Sequence, residues 1–433
     1  MSGAGLAIYS APLLLIWVLY LGHRRKAERR TIAVRDAAVA AGLTEPASLH
    51  PVVDPRLCIG CGSCAAACPE HNVLGLIGGK AHLVNPTKCI GHGACKTSCP
   101  VGAISLVFGT ERRGIDIPIV GPDFQTDVPG IFIAGELGGM GLIRNAIEQG
   151  RQAIESIREL AGIGQPNMLD VVIVGAGPAG FSSTLAAMEH GLRVVTVEQD
   201  SLGGTVSHYP RGKLVMTAPA NLPLYGKVKF TETNKEALLG FWQGVEAQTG
   251  AQVNYKERVE AIHRTDQGFE VKTTRESYAT RAVLLAIGRR GTPRKLGVPG
   301  ENLAKVVYRM IDPAQYEDQH VLIVGGGDSA LEAAVSIAEE AGTSVTISYR
   351  SDAFSRAKEK NRKKVEDAEV AGRLRVLLRS NVVKIEDETV EIDHDGTPLR
   401  LPNTAVIVCA GGILPTAFLK SSGITVETKH GTA

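Results

Sequence analysis

The sequence predicts an α/β protein: two strand–glycine-loop–helix units, a small cysteine-rich α+β domain and an apolar N-terminal helix. Three observations predict it. Short apolar strands run straight into glycine loops at residues 171–180 and 321–330, seven of the eight cysteines fall between Cys58 and Cys99, and Ser2 to Gly22 carry no charged side chain. At roughly 150 residues per domain, 433 residues suggest about three domains, and 44% hydrophobic residues exclude wholesale disorder. With 47 Lys+Arg against 45 Asp+Glu the formal charge is +2, which supplies no field for nucleic acid. A disulfide-built chain would spread its cysteines. Their crowding reads instead as metal or cluster ligation.

At the N-terminus, Leu13 to Leu21 form a dense apolar run, followed by five cations between His23 and Arg30. About 20 residues at 1.5 Å rise cross a ~30 Å hydrocarbon core. Trp17 and Tyr20 sit where an aromatic belt belongs, and no charge precedes the run as a cleavable signal would require. Residues 1–23 are therefore expected to be a single-pass transmembrane anchor in a bacterial cytoplasmic membrane, the later domains lying on the cytoplasmic, positive side. The competing reading is a buried or interfacial helix, with Pro12 limiting its continuous length. Residues 24–52 read as a helical stalk closed by Gly42 and Pro46.

Residues 58–69 place Cys58, Cys61, Cys64, Cys68 and Pro69 in a C-x2-C-x2-C-x3-C-P pattern, and residues 89–100 repeat it as Cys89, His92, Cys95, Cys99 and Pro100. This spacing lets three thiolates hold one face of a cuboidal cluster while the fourth turns to a second. A zinc site is the alternative, since CxxC pairs suit zinc too. Residues 53–108 resemble the two-cluster bacterial-type ferredoxins. That resemblance implies crossed ligation: Cys58, Cys61, Cys64 and Cys99 on a 4Fe-4S cluster, and Cys89, Cys95 and Cys68 on the other. His92 departs from the family pattern. Either it ligates a 4Fe-4S cluster through a ring nitrogen, the preferred reading, or that site holds a 3Fe-4S cluster.

Val171–Val174 lead into Gly175, Gly177, Pro178, Ala179 and Gly180, then a helix, then a strand ending at Glu198. Bare amides at a helix N-terminus suit a pyrophosphate, and a carboxylate there suits ribose hydroxyls. The second copy runs from Val321–Val324 through Gly325, Gly327, Asp328, Ser329 and Ala330, and its next strand ends in Arg350, with Arg356 and Lys358 beyond. A cation at that position suits a 2′-phosphate, so the site favours NADPH over NADH. Two such Rossmann-like units suggest FAD first and NADPH second.

Residues 168–433 resemble the low-molecular-weight thioredoxin reductase-like flavoproteins, through Ala286-Ile-Gly288, Gly297-Val-Pro-Gly-Glu301 and Ile407-Val-Cys-Ala-Gly-Gly412. The redox CxxC of thioredoxin reductases is replaced by Val307–Pro313, so the closer likeness is to the thioredoxin reductase-like ferredoxin–NADP reductases. The family's final FAD-covering motif stands upstream, at Gly135-Glu136 and Gly138–Gly150, and the reductase reads as circularly permuted. The expected layout is 53–108 ferredoxin, 109–166 permuted FAD segment, 167–291 FAD domain, 292–404 NADPH domain and 405–433 return to the FAD domain. Cys409 reads as a small core residue, His208 as a loop residue, and Tyr209, before Pro210, as a residue that could stack on flavin or simply pack.

The resemblance implies an enzyme, a membrane-anchored iron–sulfur flavoprotein passing electrons between NADPH, FAD and its clusters, with FAD converting two-electron to one-electron transfer. No side-chain general base is required. The expected partners are a redox protein or membrane electron carrier, with homodimerisation open and no nucleic acid. The other function class is an electron-transfer or redox-sensing subunit of a membrane complex.

Overall fold

The computed structural model describes residues 3–46, 49–89, 91–111, 114–139, 142–209, 214–216, 219–229, 232–289 and 291–431. Two compact units result. The first is Met1–Gly114 with Ser351–Lys363 and His430–Ala433; the second is Ile115–Arg350 with Lys364–Lys429.

In the first unit one helix, Gly3–Ala40, runs unbroken through Pro12, against the expectation that this proline would limit it. Anchor and stalk are thus one element. It ends as expected at Gly42, whose φ of +66° lets the amide turn back to the Val39 carbonyl. The residues read as a stalk pack on the hairpin Leu74–Ile77/Lys80–Leu83: Glu28 Oε1 accepts from the Gly78 amide at 2.6 Å, and a Cβ on Gly75 would lie 2.3 Å from Thr31 Cγ2. The transmembrane expectation for residues 1–23, and with it the single-pass membrane localisation, is overturned. Among the described residues no helix is long and apolar enough to cross a membrane. The dense apolar run Leu13–Leu21 by itself rises only about 14 Å at 1.5 Å per residue, about half of a ~30 Å core.

The rest of this unit is a doubled small fold. His50–Val53 pairs antiparallel with Ile104–Val107, and two short helices, Ser63–Ala66 and Ala94–Thr97, follow Gly62 and Gly93. The repeated Ile-Gly-x-Gly has a backbone cause. Gly60 and Gly62 have φ of +69° and +80°, Gly91 and Gly93 +75° and +82°, and a Cβ on Gly60 would lie 2.0 Å from the Gly79 carbonyl oxygen.

The second unit carries two parallel-centred sheets. In the first, Asn254–Tyr255, Val194–Glu198, Leu169–Val174 and Ser277–Leu285 are parallel neighbours, and Phe269–Thr273 and Val259–Arg264 continue it antiparallel. Ile131–Ile133 joins on Ser277–Leu285, pairing Ile131 with Val283 and Ile133 with Leu285. Apolar residues fill both faces, as buried parallel strands require: Ile154, Ile157, Ala186 and Leu284 on one, Val172, Val283 and Leu285 on the other. The second sheet orders Val306–Val307, Ala405–Val408, His320–Val324, Ser344–Tyr349 and Leu374–Leu378, all parallel. This corrects the expected boundary at 405. All four residues of Ala405–Val408 are buried in the centre of the second sheet. The return begins only at Gly412–Ile413, paired with Thr292–Pro293, and continues in Val426–Lys429, paired with Ile115–Pro118.

Helices Ile143–Arg158 and Pro178–Glu189 lie together on the first sheet, close enough that Ser182 Oγ donates to the Ile147 carbonyl (2.8 Å) and Ser183 Oγ to that of Gly150 (3.0 Å). A Cβ on Gly150 would stand 2.2 Å from the Ala179 carbonyl oxygen. Gly150→Ala gains up to about 1 kcal/mol of helix propensity but forces overpacking that costs about 1–3 kcal/mol. The net expectation is destabilisation, read as an earlier urea transition of the flavin-bearing unit than in the unaltered protein.

Candidate functional site

The cysteines form two groups drawn from both halves of the repeat. Cys58, Cys61, Cys64 and Cys99 line one pocket walled by Val53 and Ile104. The Ala81 amide donates to Cys58 Sγ at 3.4 Å and the Ala103 amide to Cys99 Sγ at 3.2 Å. In the other group Cys68 Sγ lies 3.9 Å from His92 Nε2, and Cys89 feels the charges of Cys95 and Cys68. The Ala94 amide points at His92 Nδ1 at 3.3 Å, so Nε2 is the nitrogen turned toward the thiol.

Burial sets the thiol chemistry. It raises Cys64 and Cys95 above the ordinary thiol value and pushes Cys89 up to about 11, with the neighbouring cysteines adding to the rise. Exposed Cys61 moves the other way, lowered by the Ser63 hydroxyl 3.4 Å from its sulfur. Among the described residues no three His, Cys, Asp or Glu side chains stand close enough to hold one metal ion. Four thiols around a pocket, rather than around a point, fit a multinuclear core and not the zinc alternative.

The first glycine loop is built by close backbone approach. A Cβ on Gly180 would lie 1.8 Å from the Gly175 carbonyl oxygen, and Gly175, at φ +102°, abuts the Ala286 carbonyl. Pro178 opens the following helix, where its missing amide costs nothing. Glu198 is buried at the strand end facing the loop; its carboxylate accepts from the amides of Ala176 (2.7 Å) and Asp200 (2.8 Å). Burial raises its pKa, and those amides only partly offset the rise. Gly135 and Glu136 arrive at the same loop from upstream: a Cβ on Gly135 would lie 3.0 Å from Ala179 Cβ, and the Gly135 amide donates to Gln149 Oε1 at 2.9 Å. Met140 and Gly141 of that motif lie outside the described residues, as does Pro210. Glycines whose Cβ positions are filled by backbone, beside a carboxylate at the next strand end, are the features a flavin dinucleotide needs.

The second loop repeats the plan. A Cβ on Gly325 would lie 2.4 Å from the Cys409 carbonyl oxygen, and one on Gly326 would fall within the Tyr349 ring at 2.5 Å. Helix Asp328–Ile337 starts after Gly327, carrying Ser329 and Ala330, and Arg350 is exposed just past Ser344–Tyr349. Arg356 and Lys358 are exposed within Ser351–Lys363, which clusters with the first unit.

Sequence reasoning missed several residues. Arg289, in the Gly-rich tail after Leu285, is half-buried, and its pKa is lowered by desolvation; Glu136 and Asp116 oppose that shift, and its Nη2 donates to the Asp116 carbonyl at 3.0 Å. His208 is more than a loop residue: its Nε2 lies 3.3 Å from Asp200, and its Nδ1 meets Arg309. Arg309 stands in the stretch where a dithiol is lacking, and reaches Asp200 at 3.6 Å. Tyr209 is half-buried against the Phe181 and Trp242 core, its carbonyl accepting from Lys235 Nζ.

Residues 172–432 match the pyridine nucleotide-disulphide oxidoreductase family, and residues 50–100 match a 4Fe-4S dicluster domain. The chain belongs to the pyridine nucleotide-disulphide oxidoreductase family. Within that family it is similar to the ferredoxin–NADP reductase of Ignicoccus hospitalis, 28% identical over 269 residues that cover 61% of this chain and 84% of the relative. The corresponding reductase of Thermus thermophilus is 32% identical over 270 residues, 60% of this chain and 77% of that one. The bacillithiol disulfide reductase Bdr of Staphylococcus aureus superposes with a TM-score of 0.53 at 25% identity, covering 59% of this chain and 80% of its own. This family member is an NAD(P)H-dependent FAD oxidoreductase, a thioredoxin/ferredoxin–NADP reductase-like flavoprotein carrying an N-terminal 4Fe-4S dicluster ferredoxin domain.

The segment between the two nucleotide-type domains of this oxidoreductase is held by Glu301. Burial alone would raise its carboxyl, but the amides of Leu296 and Gly297 (2.8 Å) and the Tyr308 hydroxyl (2.8 Å) overrule it and depress the pKa. A depressed carboxylate stabilises the fold above its unfolded pKa, and that contribution is lost as pH falls through the folded value. Glu301→Gln should cost about 1–3 kcal/mol at neutral pH and less at pH ~3, below the unfolded carboxyl value. Urea midpoints of both proteins at the two pH values check it.

Proposed function

We propose that this oxidoreductase carries its own one-electron relay: NADPH is oxidised at the second glycine loop, FAD lies at the first, and electrons pass through two iron–sulfur clusters to an external redox protein or electron carrier. The observation that carries the reading is the pocket drawing Cys58, Cys61 and Cys64 from one half of the repeat and Cys99 from the other, in the same chain as two nucleotide loops. When bound, flavin accepts two electrons as a hydride and releases them singly, which is what a cluster acceptor requires.

The chain's own residues supply binding and tuning. The amides of residues 175–180 and 325–330 would face pyrophosphates, Glu198 and Glu136 would take hydroxyls of FAD, and Arg350 would meet the 2′-phosphate of NADPH. Cys58, Cys61, Cys64 and Cys99 would hold a 4Fe-4S cluster. Cys68, Cys89 and Cys95 would hold the second, with His92 Nε2 as its fourth ligand. With Nε2 as a ligand the ring proton would sit on Nδ1, and the Ala94 amide would no longer donate there. The buried thiols must lose protons as iron binds, so cluster assembly is favoured by rising pH.

The domain reading is a circular permutation. Ile131–Ile133 and Ile143–Arg158 precede the matched residues 172–432, yet complete the first sheet and its helix layer. That supports taking 109–166 as the family's last FAD segment moved to the front, splicing the ferredoxin domain directly to it.

Stepwise NADPH titration followed by EPR is the main test: two cluster signals growing with added NADPH are expected, and clusters that stay oxidised while flavin bleaches would sink the relay. Arg350→Ala should raise KM for NADPH by about 10–100-fold, the worth of a charge-assisted hydrogen bond, and leave KM for NADH unchanged. His92→Cys should preserve the second cluster and alter its EPR signature. A 3Fe-4S signal in the unaltered protein would exclude His92 as a ligand.

A further inference from the structure

The helix Gly3–Ala40 and the ferredoxin hairpin enclose a cavity of about 250 Å³ that none of the chemistry above uses. Its helix wall is His23, Lys26, Arg30 and Val34, at spacings of three and four residues, which puts all four on one face. Leu74 and Val84 of the ferredoxin domain form the opposite, apolar wall. A helix face turned toward a folded domain is normally an apolar stripe. Here that face carries cations. The acidic residue of this stretch, Glu28, has an oxygen committed to the Gly78 amide at 2.6 Å, and no carboxylate lines the cavity among the described residues. The Thr31–Gly75 approach holds the walls at fixed spacing, while His23, Lys26 and Arg30 are themselves exposed and Asn72 joins Leu74 and Val84 in the lining.

We propose that this cavity binds an organic phosphate with an apolar body. Two permanent cations, Lys26 and Arg30, with the His23 imidazole as a further donor, match the roughly two negative charges of a phosphate monoester. A monocarboxylate would leave one cation unneutralised. Val34, Leu74 and Val84 receive the apolar body, which inorganic phosphate lacks.

The test is calorimetric titration of the full-length holoprotein at low salt with octyl phosphate below its micelle concentration, inorganic phosphate and octyl glucoside. Octyl phosphate should bind at least about tenfold more tightly than either of the others. The double variant Lys26→Glu/Arg30→Glu should lose that binding, with its flavin and cluster absorption and NADPH–ferricyanide turnover unchanged, which shows it to be folded. Equal affinity of the variant for octyl phosphate overturns the proposal, as does equal binding of octyl glucoside, equal binding of inorganic phosphate, or no octyl phosphate binding to the unaltered protein at millimolar concentration.

Discussion

The backbone approach of two helices at Gly150 and Ala179 governs where the first nucleotide site can form. Only because Gly150 lacks a side chain can Ile143–Arg158 settle against Pro178–Glu189, with Ser182 and Ser183 bonding across to its carbonyls. That seating brings Gly135 against Ala179 and fixes Gln149 on the Gly135 amide. Gly135 reaches the glycine loop as a consequence, although about 40 residues separate it from Gly175. A small steric permission thus decides the composition of a cofactor site.

In the cysteine domain the controlling term is desolvation. Packing Cys64 and Cys95 into an apolar core with Val73 and Ile104 favours neutral thiols. Iron reverses that preference by supplying the positive charge that burial withholds. Folding of this small domain and cluster acquisition are therefore expected to be coupled, since four of the nine buried residues of its core are cysteines.

Features whose cause is local were legible in the sequence. Each glycine loop announces itself because strand, turn and helix are contiguous, and the cysteine spacing reflects a turn repeated twice. Gly135 and Glu136 could be matched to the first loop because their motif is contiguous too. Arg289, Tyr349, and the Asp200–His208–Arg309 group were not legible, because each owes its role to a partner between 8 and about 170 positions away. The misreadings have the same origin. Ala405–Val408 looks alike in either sheet, since periodicity reports burial and not which neighbours do the burying. The charge-free N-terminus looked like a span, while the cations that were to mark its flank form a cavity wall against the next domain.

Ile131–Ile133 has one further consequence, in time instead of space. Its strand partner, Val283 to Leu285, is made about 150 residues later. At ~5–20 residues per second on the ribosome, roughly 8–30 s pass between the two. Throughout that interval three residues that end up fully buried have no strand to pair with. A nascent chain with so long a wait is exposed to chaperone capture and to mispairing with its neighbours on a polysome. A strand made that far ahead of its partner therefore shifts a burden onto biosynthesis that the finished fold does not show.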